Sequence, residues 1–156
     1  MKKEKRLKDL KSVKKDLKGL FESQPLAVLA TQSDGQPYTS LVAFASSKDF
    51  KEIYFATTRA TRKYANLMAS PMVALLMDNR SNKPSDFRWA MAVTALGQAK
   101  ELTGDKAKSV AKLYLAKHPQ LEGFLTSPTC ALLNVQVRTY YLVTRFQDVI
   151  EVQVTP

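Results

Sequence analysis

The residues best suited to binding a ligand lie in one short segment, 57–63, between a predicted strand and a predicted helix. Arg62 and Lys63 fall in the first turn of that helix, where free backbone N–H groups and the helix dipole favour an anion. The positive charges of Arg62 and Lys63 are unfavourable at this positive end of the helix dipole unless an anion binds there. The hydroxyls of Thr57 and Thr61 are close to them in the sequence. The combination is typical of a phosphate site. The alternative is that both bases are ordinary solvated residues of a lysine-rich chain.

The other chemically active residue types predict no second site, and no catalytic residue is assigned. His118, the single histidine, precedes Pro119 at a predicted helix end, and we expect a surface or capping role for it. Cys130, the single cysteine, opens a predicted strand and is expected to be a small buried residue. One cysteine excludes an intrachain disulfide and a cysteine-cluster metal site. Four acidic residues form no pair at a spacing suited to two-carboxylate hydrolysis: Asp78, Asp86, Glu101 and Asp105.

The elements that must position these residues are mostly short strands. Apolar runs and apolar–polar alternation predict seven extended segments: 26–31, 38–46, 53–57, 72–78, 88–101, 130–144 and 150–154. The run 72–78 is almost continuously apolar, which predicts a strand buried on both faces. The long segment 88–101 carries Trp89 near its start, and Gly97 in its interior predicts a bulge or a close backbone approach.

The connections between these segments favour an antiparallel barrel. Asp34-Gly35 predicts a tight hairpin turn, and helices are predicted only at 61–69, at 104–117 and in the N-terminal segment. The βαβ alternation of a doubly wound sheet is missing. The five glycines are scattered and match neither the dinucleotide-binding motif nor the P-loop motif. The sequence therefore predicts a mainly β (α+β) domain, and argues against a Rossmann dehydrogenase or a nucleoside triphosphatase.

The N-terminal segment concentrates the positive charge. Of the net charge of +10, most comes from residues 1–18, which hold nine bases against three acids. An apolar stripe at helical spacing runs through the same segment: Leu7, Leu10, Val13, Leu17, Leu20 and Phe21. We predict an amphipathic helix within residues 1–24 that packs on a domain spanning 25–156. The alternative is an arm that binds nucleic acid or an anionic membrane, but such an arm does not require so regular a stripe.

Length and composition set the protein class. A chain of 156 residues with 45% apolar residues suits one domain with a core of its own. No apolar run approaches the length of a membrane span, which takes about 18 residues or more. The basic N-terminus lacks the apolar stretch of a secretion signal, and a single cysteine suits a reducing compartment. We therefore expect a cytoplasmic protein with no membrane partner.

The order of these motifs resembles the pyridoxamine 5′-phosphate oxidase-like, FMN-binding split-barrel superfamily. Each piece is common by itself, but the ordered set is specific and covers about residues 20–145. The pieces are the strand 26–31, the turn Asp34-Gly35-Gln36-Pro37, the strands 38–45 and 53–57, the helix start Thr61-Arg62-Lys63, Asn66-Leu67, the segment 70–73, the strand 93–99 and the helix end at His118-Pro119.

This resemblance implies a six-stranded split β-barrel of Greek-key topology that forms a homodimer with FMN at the interface. By position, the strand of Thr39, Ser40, Leu41 and Val42 would run beside the flavin ring. Ala56 and Thr57 would line the ring and the ribityl chain, and the phosphate would be held by Thr61, Arg62 and Lys63. Trp89 would either approach the flavin of the other subunit or be a core or interface residue.

The implied function is that of an FMN-dependent oxidoreductase acting on a small molecule. Two departures argue against oxidation of vitamin B6 phosphates. Ser40 stands where those enzymes usually carry an arginine, and the C-terminal segment 146–152 lacks their Trp/Arg-rich motif. The alternative is a non-enzymatic protein on the same fold: a flavin carrier, a redox sensor or a haem binder, for which His118 would be the only histidine ligand.

Overall fold

Eight strands and five helices follow one another in the computed structural model, which describes residues 6–156. The strands are β1 (Arg6–Lys8), β2 (Leu26–Ser33), β3 (Gln36–Ser46), β4 (Glu52–Thr58), β5 (Met72–Asp78), β6 (Ala92–Glu101), β7 (Cys130–Thr144) and β8 (Asp148–Gln153). The helices are α1 (Leu10–Ser23), α2 (Arg62–Ala69), α3 (Asp86–Trp89), α4 (Gly104–Lys117) and α5 (Glu122–Leu125), with a 3₁₀ turn at Pro119–Leu121.

Six of the strands close into an antiparallel barrel. Their order is β7-β4-β3-β2-β5-β6, and β6 pairs with β7 to complete the ring. β2, β3 and β4 form a meander and β5 returns beside β2, which is a Greek key. Two further strands extend the sheet beyond β7, since β8 pairs with β7 and β1 pairs in parallel with β8. The prediction of a mainly β, six-stranded barrel is confirmed; the short helices α3 and α5 were not predicted.

Local sequence signals placed several elements correctly. The Asp34-Gly35 turn joins β2 to β3 with φ angles of 50° and 77°, the left-handed conformation that a tight hairpin requires. The structure reproduces the predicted bounds of β5, α4 and β7. α2 begins at Arg62 because the side chain of Thr61 accepts a hydrogen bond from the backbone of Tyr64.

The barrel interior is filled by alternate residues of its strands. Leu29, Phe44, Phe55, Leu75 and Leu133 have no exposed surface and belong to one cluster. β5 alternates between buried and partly exposed positions, so the prediction that it is buried on both faces is wrong. Its apolar run is continuous because Met72, Ala74 and Leu76 on the outer face of β5 are also apolar.

The outer faces of β4 and β7 are covered by α4. Tyr54, Ala56 and Leu132 form a second cluster with Val110 and Tyr114 of that helix. The Tyr114 hydroxyl donates to the carbonyl of Ala43 at 3.0 Å, which fixes α4 against the end of β3. β4 is thus enclosed by the barrel interior on one face and by α4 on the other.

The N-terminal apolar stripe packs on the barrel along α1. Val13, Leu17, Leu20 and Phe21 are buried in the main cluster, and Asp9 caps the helix by accepting the backbone N–H of Ser12 at 2.8 Å. Because this cap starts the helix at Leu10, the prediction that Leu7 belongs to the helical stripe is wrong. Leu7 lies in β1 and is 72% exposed. The predicted helix residues 1–5 lie outside the described residues.

The start of β6 also differs from the prediction. Trp89 lies in α3, and β6 begins three residues later. The cause is Asp86, whose carboxylate accepts the backbone N–H groups of Ser81, Asn82 and Lys83 and folds this stretch into a loop. The prediction for Gly97 is confirmed, because the β6–β7 register shifts between Leu96 and Gly97. No helix of residues 6–156 is long and apolar enough to span a membrane.

Candidate functional site

Two threonine hydroxyls and the start of α2 meet where β4 ends. The Thr57 and Thr61 hydroxyl oxygens are 2.9 Å apart, and the Thr61 hydroxyl donates to the carbonyl of Thr58 at 3.0 Å. Thr57 is buried, whereas Thr61 is partly exposed. The first turn of α2 contains no acidic residue, so its backbone N–H groups and dipole present uncompensated positive potential.

Arg62 and Lys63 add two cations to this helix start. Within residues 6–156 neither forms an ion pair with a carboxylate. Arg62 is exposed, and its guanidinium carbon lies 5.7 Å from the centre of the Tyr38 ring. Lys63 is half-buried. Both charges therefore remain available to an anionic ligand.

The neighbouring Arg59, by contrast, is bonded to other groups of the protein. Its guanidinium pairs with Glu101 and donates to the carbonyl of Pro128 at 3.0 Å. The other Glu101 oxygen accepts the Tyr64 hydroxyl at 2.9 Å. This network holds the loop between β4 and α2 against β6, and Glu101 compensates Arg59 rather than the two bases of α2.

One edge of β3 lies open beside the helix start. β2 pairs with β3 from Gln36 to Ala43, whereas β4 pairs with it only at Phe44, Ala45 and Ser46. Among the described residues, no strand therefore pairs on the β4 side with the stretch of Thr39, Ser40, Leu41 and Val42. Backbone N–H and C=O groups of such an edge are donors and acceptors for a planar polar ligand.

Ser40 carries an orphaned polar atom at this edge. Its hydroxyl oxygen is buried and has no hydrogen-bond partner among the described residues. Buried hydroxyls are normally satisfied, so this one is a candidate contact for a bound group. Leu41, by contrast, is 67% exposed and Val42 is buried in the main cluster.

Hydrogen bonds from α2 connect the edge and the helix start. The Asn66 side chain donates to the Thr31 hydroxyl at 3.1 Å, and Thr31 in turn donates to the carbonyl of Tyr38 at 3.5 Å. Tyr38, Thr31 and Asn66 were not proposed as site residues from the sequence. The signal that could have found Asn66 is a polar side chain at a buried position of a short amphipathic helix.

The structure gathers most of the sequence-predicted residues into one region. Thr57, Thr61, Arg62 and Lys63 lie together, and Arg62 reaches Tyr38, which adjoins the stretch 39–42. Ala56 differs, because its side chain packs with α4 in the second cluster. Its side chain therefore points to the opposite face of β4 from that of Thr57.

The remaining sequence candidates lie elsewhere. Of the two roles predicted for His118, the capping role is confirmed, since His118 is the C-cap of α4 and its backbone N–H donates to the carbonyl of Tyr114. The surface position is not found, because His118 is 2% exposed and its Nε2 is 2.7 Å from the carbonyl of Phe44. Since a carbonyl oxygen only accepts, Nε2 carries the proton in that bond. Cys130 is partly exposed rather than fully buried, and Trp89 is 70% exposed. Within residues 6–156, no three His, Cys, Asp or Glu side chains are grouped as a metal site requires.

Comparison with solved structures supports the barrel fold. A haem-binding protein from Mycobacterium smegmatis superposes with a TM-score of 0.80 at 15% identity, over 90% of this chain and 57% of that one. General stress protein 26 from Bacillus anthracis gives 0.69 at 18% identity, over 91% and 98% of the two chains. An FAD-binding protein from Mesorhizobium loti gives 0.67 at 17% identity, over 81% and 89%.

Sequence comparison identifies the family. No curated protein sequence matches the chain significantly. The sequence model for pyridoxamine 5′-phosphate oxidase matches residues 13–144, which includes the strand edge, the helix start and all six strands of the barrel. Because this match covers most of the chain, the protein belongs to the pyridoxamine 5′-phosphate oxidase family.

Proposed function

We propose that this protein binds FMN and acts as an FMN-dependent oxidoreductase on a small molecule. The observation that supports this most strongly is the junction of two complementary surfaces. The unpaired cationic start of α2 adjoins the open edge of β3, with Arg62 5.7 Å from the Tyr38 ring. FMN has a phosphate at one end and a planar ring with a polar edge at the other, which matches both surfaces.

The phosphate would be held by the start of α2. The backbone N–H groups of the first turn, the Thr61 hydroxyl, Arg62 and Lys63 supply donors and positive charge on one side of the site. Thr57 orients Thr61, since their hydroxyl oxygens are 2.9 Å apart. A phosphate dianion bound there would compensate the positive charges of Arg62, Lys63 and the helix dipole.

The flavin ring would lie along the stretch 39–42 of β3. Backbone N–H and C=O groups of this stretch would form hydrogen bonds with the polar edge of the ring. The buried Ser40 hydroxyl would also form a hydrogen bond with the bound flavin. When bound, FMN supplies a hydride-accepting ring, and the protein supplies binding, orientation and electrostatics. Ser40 stands where an arginine would bind the phosphate of a vitamin B6 substrate, and a serine has no guanidinium. Oxidation of vitamin B6 phosphates is therefore not part of the proposal.

A haem-binding function is the second candidate, because one structural relative is described as a haem-binding protein. His118, the single histidine, is buried and its Nε2 is bonded to the carbonyl of Phe44. Its use as an axial ligand would require breaking that bond and displacing the end of α4. This geometry favours a flavin over haem held by histidine.

Titration of the purified protein with three ligands tests the proposal. FMN is expected to bind at least about tenfold more tightly than riboflavin, because only FMN carries the phosphate that α2 would hold. Quenching of flavin fluorescence measures both affinities, and a Soret band on adding haemin reports haem binding. Equal affinity for FMN and riboflavin would contradict the phosphate assignment. Haemin binding without flavin binding would favour the second candidate.

We also propose that two copies form a homodimer through the outer face of β2, β3, β5 and β6. The strand register places exposed apolar side chains in neighbouring rows that run across the four strands of this face. They include Leu41 of β3, which is 67% exposed, and Leu96 of β6, which is 37% exposed. An apolar sheet face of this kind is costly to leave in water. Sedimentation is expected to give twice the chain mass of 17.5 kDa. The double variant Leu41→Lys/Leu96→Lys should sediment as a monomer, whereas Leu7→Lys, at an exposed leucine of β1, should not change the mass.

A further inference from the structure

A groove of about 620 Å³ lies between α1, the turn that joins β3 to β4, and the end of α4. Each of these three elements contributes lysine. Lys14 and Lys18 come from α1, Lys48 from the turn and Lys117 from α4. Their convergence was not readable from the sequence, because it depends on how α1 and α4 pack on the barrel.

The charge of the groove is strongly unbalanced. Glu22 is the carboxylate among its lining residues, and it pairs only loosely with Lys18, with 3.9 Å between Nζ and Oε1 and both side chains mostly exposed. Such exposed pairs contribute little free energy. The groove therefore presents a net positive potential that an anion would reduce.

Lys117 is the lysine that the fold holds in place. Its Nζ donates to the carbonyls of Phe21 and Gln24 at 2.8 and 2.9 Å, and lies 3.8 Å from the centre of the Phe44 ring. Burial lowers the pKa of Lys117 to about 8, so the ammonium is charged at neutral pH but incompletely hydrated. A fixed, partly desolvated cation gains more from an anion than a fully solvated lysine does.

The floor of the groove is apolar. Phe21 and Phe50 lie beneath it, and Leu113 and Ala116 of α4 form one wall. The two rings are 3% and 5% exposed, so they close the groove from below and present no faces for stacking nucleic-acid bases, whereas the more accessible apolar lining is that of Leu113 and Ala116. The volume lies within the range of small-molecule sites, about 300–1,000 Å³.

We propose that this groove is a second ligand site, which binds an organic anion with an apolar body, such as an aromatic or long-chain carboxylate or sulfonate. The apolar part lies on the floor and the anionic group faces the lysines. The site is separate from the proposed FMN site. The turn before β4 borders the groove and Thr57 lies near the other end of β4, so the groove and the phosphate end of that site are about 20 Å apart along the strand. The flavin stretch is nearer, since Val42 and the groove residue Ala45 are three residues, or about 10 Å, apart on β3.

Fluorescence titration of the full chain with 8-anilinonaphthalene-1-sulfonate, an aromatic sulfonate, tests this site. The triple variant Lys14→Gln/Lys18→Gln/Lys48→Gln is expected to bind this probe about tenfold more weakly. The matched control Lys11→Gln/Lys15→Gln/Lys108→Gln removes the same charge from exposed positions outside the groove and should bind within about twofold of the parent.

A steric variant provides an independent measurement. Ala116 is exposed and lines the groove, so Ala116→Phe should keep the fold while filling the apolar wall and abolishing the fluorescence increase. N-phenyl-1-naphthylamine, a neutral analogue of the probe, should bind weakly and with equal affinity to the parent and both triple variants, whereas Ala116→Phe should exclude it as well. Equal losses in the two triple variants, or unchanged binding in Ala116→Phe, would overturn the proposal. FMN affinity should be unchanged in all of them, and a parallel loss of FMN binding would overturn the separation of the sites.

Discussion

Replacement of both Arg62 and Lys63 by alanine is expected to weaken FMN binding by about a hundredfold or more, without unfolding the protein. Each hydrogen bond to a charged partner contributes about 1.5–3 kcal/mol, and the two residues supply the side-chain cations of the proposed phosphate site. Neither stabilises the fold through an ion pair within residues 6–156, and both oppose the dipole of α2. Their removal should therefore leave the melting temperature unchanged or slightly raised.

Riboflavin provides the internal control for this result. Because riboflavin has no phosphate, its affinity should be nearly the same for the parent and the double variant. A second control, Lys108→Ala/Lys112→Ala, removes the same charge from exposed positions of α4 and should retain FMN binding. A loss of riboflavin affinity equal to the loss of FMN affinity would indicate disturbance of the whole site. Unchanged FMN affinity in the double variant would remove the phosphate assignment.

The phosphate part of the candidate site could be predicted from the sequence because it depends on local structure. A strand end, a threonine cap and the first turn of a helix lie within the contiguous segment 57–63, so their proximity follows from the chain itself. The link to Tyr38 and the orphaned Ser40 hydroxyl depend instead on where β4 stops pairing with β3. Sequence periodicity carries no information about that point.

The same distinction explains the errors in the predicted elements. Strand and helix bounds were accurate where the apolar period ended at a strong local signal, as for α4, which ends before His118-Pro119. Trp89 was misplaced because the alternation of β6 extends by coincidence into a loop that the Asp86 carboxylate folds. The capping position of His118 at the end of α4 was predicted correctly from local signals, whereas its burial was missed because its bond to Phe44 joins residues 74 positions apart.

Gly97→Ala is expected to destabilise the protein by about 3 kcal/mol or more, a large fraction of the free energy of unfolding of an ordinary domain. A Cβ atom at Gly97 would lie 2.3 Å from the carbonyl oxygen of Gln136 and 2.9 Å from Cγ1 of Val135. Real contacts are about 3.4 Å or longer, and the nearest atom is backbone, so the strand itself would have to move. This contact lies at the β6–β7 seam that closes the barrel, where the register shifts beside Gly97.

Gly19→Ala is the matched control for this seam. Gly19 lies exposed in α1 with nothing within 4 Å of its Cβ position, so the same added methyl group meets no neighbour there. Alanine favours a helix interior over glycine by about 0.5–1 kcal/mol, and this variant should be as stable as the parent or slightly more so. Urea unfolding of both variants measures the difference, with a much lower midpoint expected for Gly97→Ala alone. Equal midpoints would show that β6 and β7 separate easily at Gly97 and that the close approach contributes nothing to barrel closure.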